Sequence, residues 1–208
     1  MSHRTRTTTR LLIGLLAVVV AGGALVATPT SAEAKTYVRS DARGDMTIMS
    51  VSPHEPTDET KGDILRIRVR HTAKRVQVRL LLADLVQSPD ILYETGVLFR
   101  TNEGTRRVVQ LESRPQNWRG IVRMYNRNNQ LVRCAVHRSH DFVHNVALFG
   151  FSRRCMSNPR WIRVRVQMTT ARPFGDTMGQ APILQDDAFR TGIGPSIPTP
   201  LSPRIRRG

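Results

Sequence analysis

The amino-acid sequence predicts an all-β chain, a single antiparallel β-sandwich of about nine strands with one disulfide. Three observations carry this expectation. Apolar residues recur at every second position from residue 46 onward, polar turn segments separate these runs every 8–12 residues, and the chain holds two cysteines. The expected organisation is an export signal over residues 1–34, the sandwich over 35–191, and an irregular Pro/Arg-rich basic tail over 192–208.

The leader has the three parts of a secretory signal. Arg4, Arg6 and Arg10 give a basic start, Leu11 to Ala27 is apolar apart from glycines, and Ala32-Glu33-Ala34 supplies a small-x-small cleavage site. Its apolar run is short for a membrane span of about 20 residues. The arginines are not adjacent, as a twin-arginine signal would need, and no cysteine near the cut offers a lipid attachment point. The expected product is secreted and extracellular, with no transmembrane span after cleavage.

The clearest strands are 63–71 and 75–82. In the first, Leu65, Ile67 and Val69 alternate with Arg66, Arg68 and Arg70. In the second, Val76, Val78, Leu80 and Leu82 alternate with Arg75, Gln77 and Arg79. His71-Thr72-Ala73-Lys74 is short enough to join them as a hairpin. Met46–Val51 is expected before this pair. After it come Gly96–Thr101, Thr105–Leu111, Trp118–Tyr125, Leu131–Val136, Val143–Phe151 and Trp161–Thr169, separated by turns such as Asn102-Glu103-Gly104 and Asn126-Arg127-Asn128-Asn129-Gln130. The alternation fades after Ala171. Pro195, Pro198, Pro200 and Pro203, then Arg204, Arg206 and Arg207, predict an extended, poorly packed end.

The chain carries 32 Lys+Arg against 16 Asp+Glu, a formal charge of +16, and loss of the leader leaves it strongly basic. That balance predicts attraction to anionic envelope polymers or glycans, or a solvated basic coat with no partner. Arg66, Arg68, Arg70, Arg75, Arg79, Arg163 and Arg165 all fall on non-core sides of predicted strands and are the candidate anion contacts. A sheet that reads nucleic acid adds stacking aromatics to such a face. The alternating positions hold none, and aromatics make up 5% of the chain, so nucleic acid is not the expected partner. Cys134 and Cys155 are expected to pair in an oxidising compartment, stabilising the fold by about 3 kcal/mol on the chain-entropy model.

Two clusters have metal-ligand chemistry. Asp41 and Asp45 flank a glycine turn, Asp41-Ala42-Arg43-Gly44-Asp45, and Asp63 opens the strand beyond the next loop; together they offer oxygen ligands to calcium. The same aspartates also suit turn initiation and strand ends. His137, His140 and His144, with Asp141 among them, would share a helix face, but they lie between strands, where residues 137 and 140 point to opposite sides. They read as ordinary loop or strand-edge histidines. No cofactor beyond calcium is expected.

No catalytic residue is assigned. Gly-x-Ser-x-Gly and phosphate-loop motifs are absent, and the carboxylate pairs Asp58/Glu59 and Asp186/Asp187 read as solvated loop charges rather than an acid and base in different environments. A secreted hydrolase would need a cleft that gathers such groups. For sugar stacking the candidates are Trp118, Trp161, Tyr93 and Tyr125, and both tryptophans fall on apolar faces that suit the core.

Several short motifs together resemble uncharacterised secreted β-sandwich proteins of high-GC Gram-positive (actinobacterial) bacteria. They are Asp-x-x-Gly-Asp at 41–45, Asp63-Ile64, Ala83-Asp84-Leu85, Cys155-x-x-Asn158-Pro159-Arg160-Trp161 and the closing Ser202-Pro203-Arg204-x-Arg206-Arg207-Gly208. The resemblance spans most of the chain after the leader and implies no activity. The Asp-x-x-Gly-Asp opening also looks like the start of some carbohydrate-binding sandwich modules. The expected function is therefore a non-enzymatic extracellular binding module that meets an anionic partner through its outward arginines. The alternatives are a carbohydrate-binding sandwich with a structural calcium, and a secreted hydrolase.

Overall fold

The computed structural model describes residues 35–49, 55–171, 183–190 and 200–208. The expected export signal, the stretch between 172 and 182, and the proline-rich residues 191–199 lie outside the described residues.

The chain is all-β and its strands pair antiparallel in two sheets. The first has five strands, in the order β1 (Lys35–Ser40), β4 (Ile64–His71), β5 (Arg75–Leu82), β10 (Val146–Ser152), β9 (Val136–Asp141). The second runs β3 (Glu55–Pro56), β2 (Thr47–Ile48), β12 (Leu184–Asp187), β11 (Trp161–Ala171), β6 (Leu92–Thr101), β7 (Arg106–Arg114), β8 (Asn117–Asn126), with β13 (Ile205–Arg206) also pairing β11. The only helical element among the described residues is a 3₁₀ turn, Arg153–Met156.

Period-two alternation puts one apolar row of each sheet into a shared core. Ile67, Val69, Val78, Leu80 and Phe149 from the first sheet pack with Val97, Phe99, Leu111, Val164 and Val166 from the second, all of them fully buried. Phe99 and Phe151 meet edge to face at 5.3 Å across this interior. On one flank the sheets are linked by side chains. Ser113 Oγ lies 2.5 Å from His140 Nδ1, and Arg138 Nε donates to the Gly120 carbonyl at 2.7 Å, so β9 is held against β7 and β8. Cys134 and Cys155 are bonded, as expected, and tie the segment before β9 to the 3₁₀ turn after β10.

Thirteen strand segments are present among the described residues, against the nine expected. The expected strand at Leu131–Val136 is a correction. Leu131 makes only an isolated bridge to Tyr125, and the strand that follows is Val136–Asp141. Its inward residues Arg138 and His140 are polar because they face the flank just described rather than the core, so apolar alternation cannot mark it.

The chain end is a second correction, since residues 200–208 are built into the fold rather than trailing from it. Ser202 is fully buried; its N–H donates to the Val164 carbonyl at 2.8 Å, and its hydroxyl oxygen accepts the Val164 N–H at 2.9 Å. Ile205 pairs with Ile162, Arg204 stacks over Trp161 at 4.9 Å, and the Gly208 N–H reaches the His71 carbonyl of the other sheet. A paired segment of two residues is too short for a period-two signal.

Candidate anion-binding face and acidic corner

The β4–β5 hairpin builds the first candidate site. Antiparallel register sets Arg68 directly opposite Arg79, with Arg66 opposite Leu81 and Arg70 opposite Gln77. Arg75 ends the β5 row opposite Ser152. All five arginines are exposed on the outer side of the five-stranded sheet. The other outward positions of β1, β4, β5 and β10 are Thr36, Val38, Ser40, Gln77, Leu81, Val146, Leu148, Gly150 and Ser152, none of them acidic, and the edge strand β9 adds His137, Ser139 and Asp141, the last held by His144. None of the five guanidiniums forms a salt bridge among the described residues. Arg66, Arg68, Arg79 and Leu81 border a depression of about 280 Å³. Like charges opposed across a strand pair cost stability, so this row is not explained by folding.

Arg163 and Arg165 stand apart from that face, on β11 of the other sheet. Arg163 is spent on structure: its Nε donates to the Ser202 carbonyl at 2.7 Å and its Nη2 to that of Leu201 at 3.3 Å. Its sheet face is mixed in charge, because Glu112 on β7 pairs with Arg114 and Arg123. The seven candidate arginines thus divide into a merged group of five and two separate residues.

The histidines also separate. His137 is exposed, His140 turns inward to Ser113 and Phe142, and His144 bonds Asp141 at 2.7 Å in the β9–β10 turn. Of the sugar-stacking candidates, Tyr93 is fully buried, with the Val86 N–H donating to its hydroxyl, and burial pushes its pKa up to about 12. Trp118 packs between Tyr93 and Phe142, and Trp161, expected in the core, lies outward beneath Arg204.

The second site is the opposite flank, where the chain crosses from β1 to β2. The Asp41 N–H donates to the Leu65 carbonyl, and the Gly44 N–H to Asp63 Oδ2 at 2.9 Å. Gly44 has φ of 75°, which lets this tight turn close. Asp41 and Asp45 thereby face inward beside β4. Asp186 on β12 arrives from the other sheet and accepts the Ile64 N–H through Oδ2 at 2.6 Å. One carboxylate oxygen each from Asp41, Asp45 and Asp186 fall within 4.8 Å of one another.

This corner is short of hydrogen-bond donors. Asp41 Oδ2, Asp45 Oδ1, Asp63 Oδ1 and Asp186 Oδ1 are buried and accept no hydrogen bond. Asp63 and Asp186 have no exposed surface at all. Arg39 lies over the Phe189 ring and Arg190 donates to Thr47 Oγ1 and the Asp45 carbonyl, so neither bridges a carboxylate. Burial, and then the charge of Asp45, pushes Asp41 up to about 7; burial and the same neighbouring acids push Asp186 up to about 8. Asp45 and Asp63 are also raised, chiefly by burial.

Of the three aspartates singled out in the sequence, Asp41 and Asp45 cluster with Asp186, while Asp63 is tied to the same turn through the Gly44 N–H. Asp186 read as a solvated loop charge because an acid on the inward side of a strand leaves no apolar alternation. No helix among the described residues is long and apolar enough to cross a membrane. The chain matches no protein-family model and no curated protein sequence.

Proposed function

We propose that this is a secreted β-sandwich binding module without enzymatic activity, which engages anionic envelope polymers or glycans through the outer face of its five-stranded sheet. The observation that supports it is the Arg68–Arg79 cross-strand pair, flanked by Arg66, Arg70 and Arg75, with no acid at the outward positions of β1, β4, β5 and β10. Arginine's planar fork matches phosphate, sulfate and carboxylate oxygens, and a row spaced along two strands suits a repeating polyanion better than a single small ligand. The carbohydrate alternative draws less support, because Tyr93 is buried, Trp118 packs between Tyr93 and Phe142 and Trp161 is covered by Arg204, which leaves Tyr125 as a thin platform.

The test is binding to heparin and to polyphosphate across a salt series, using residues 35–208. Affinity should fall steeply with ionic strength as the charges are screened. An Arg68→Ala/Arg79→Ala variant should bind about tenfold more weakly, whereas Arg100→Ala/Arg106→Ala, which removes the same charge from the other sheet, should change little. Equal losses from the two variants would reduce the effect to net charge and overturn the assignment of the face.

A further inference from the structure

We infer that Asp41, Asp45 and Asp186, with Asp63 beside them, form a binding site for one calcium ion at the seam between the two sheets. The site differs from the anion-binding face in position and chemistry, and neither proposal depends on the other.

The argument starts from geometry. Calcium takes oxygen ligands at about 2.3–2.6 Å, so two ligands on opposite sides of one ion stand roughly 5 Å apart and all others closer. Oxygens of Asp41, Asp45 and Asp186 within 4.8 Å of one another meet that condition. The second observation is independent of the clustering. Asp186 is fully buried, and its Oδ1 is left without a hydrogen-bond partner although Oδ2 is satisfied by the Ile64 amide. Asp63 repeats the pattern, with Oδ2 on the Gly44 amide and Oδ1 unpartnered. In both cases one carboxylate oxygen is anchored by backbone while the other is held out of water with nothing to accept from. An unpaired buried acceptor carries the full cost of its lost solvation, and each of these four aspartates at the corner leaves one such oxygen.

The donor set selects the metal class. It is all carboxylate oxygen with no histidine or thiolate, which suits a hard cation. Its carboxylates come from a turn and from separate strands of both sheets, a variable geometry that calcium tolerates and that magnesium, which demands near-ideal octahedral coordination, does not. The consequence is mechanical: a bound ion would join the β1–β2 turn to β12 and so lock the two sheets along this flank.

The experiment is a thermal melt of the chelator-treated chain, with calcium or magnesium added back, together with equilibrium dialysis against radiolabelled calcium. Calcium should raise Tm by roughly 5–10 °C at a hundredfold excess over Kd, magnesium much less, and dialysis should find one ion per chain. Asp186→Asn keeps the acceptor for Ile64 but removes the charge, and it should abolish the calcium shift. Asp41→Asn, at a partly exposed position, serves if Asp186→Asn does not fold, and should weaken binding at least tenfold. No bound calcium at millimolar concentration, or a full Tm shift in both variants, would overturn the site.

Discussion

Ile64 donates its backbone N–H to Asp186 Oδ2 at 2.6 Å, and this single bond places a carboxylate of one sheet at the root of the hairpin that displays the arginines of the other. The acidic corner and the basic face therefore share β4. The corner begins where β4 enters the sheet, and the arginines start two residues later. A bulge between Ile64 and Arg66 turns the strand from its buried start to its outward arginines, and alternation keeps Arg66, Arg68 and Arg70 on the outer side from there.

Exchanging two arginines should separate their roles. Arg163→Ala removes donors to Ser202 and Leu201 and is expected to cost about 1–2 kcal/mol in urea unfolding, with heparin affinity little changed. Arg79→Ala is expected to behave oppositely, with stability held or slightly raised by relief of the Arg68 pair, and affinity lowered.

Buried Arg153 is a structural cation. Its guanidinium donates to the carbonyls of Ala73, Asn158 and Pro159, and so ties the β4–β5 turn to the segment after β10. Arg153→Met should destabilise the fold by about 3 kcal/mol by stranding these carbonyls, and Arg153→Lys should recover only part of that. The urea midpoints of the three proteins check both statements.

Two glycines with left-handed backbone should respond unequally. At Gly120, φ is 77°, and an added Cβ would sit 2.6 Å from Ser113 Oγ and 2.8 Å from the Glu112 carbonyl oxygen. Gly120→Ala is expected to cost about 2–4 kcal/mol. At Gly44 nothing lies within 4 Å, so Gly44→Ala should cost about 1 kcal/mol from backbone strain alone. Comparable losses in denaturant unfolding would contradict this reading.

Acid should weaken the fold through His140. Burial holds its pKa down to about 4, below its ordinary value of 6.5, and lowers that of His71 in the same direction. Between those two values the unfolded chain binds the proton that folded His140 refuses, so its contribution to stability is complete above 6.5 and is lost as pH falls towards 4. The raised corner carboxylates act with the opposite sign in that window, so the comparison must be made between parent and His140→Asn at each pH. The variant should show the shallower loss on acidification.

The legible parts of this molecule are those whose inward residues are all apolar. In β4 and β5 nearly every inward position is Ile, Val or Leu and the outward ones are mostly arginine, so strand, hairpin and basic face can all be read directly. β9 and β12 could not be read that way, because Arg138, His140 and Asp186 point inward to make links between sheets. Asp41, Asp45 and Asp63 were recognisable from their glycine turn and strand start. Their fourth partner, more than 120 positions away, is brought to them only by the order of strands in the sheets. Tyr93 was misleading for a related reason, since a hydroxyl that meets a loop amide lets an amphipathic ring sit in the core.

The pairing of β2 with β12 has a consequence in time as well as in space. Thr47 donates its hydroxyl to the Gln185 carbonyl across 138 residues of chain, so this seam can form only after a very long loop has closed. The β4–β5 hairpin, by contrast, closes over a few residues and is available from the start. A sheet protein built on such non-local pairings is expected to fold over milliseconds to seconds rather than microseconds. The hairpin carrying the arginines needs only local closure, whereas the acidic seam needs segments more than a hundred residues apart to meet.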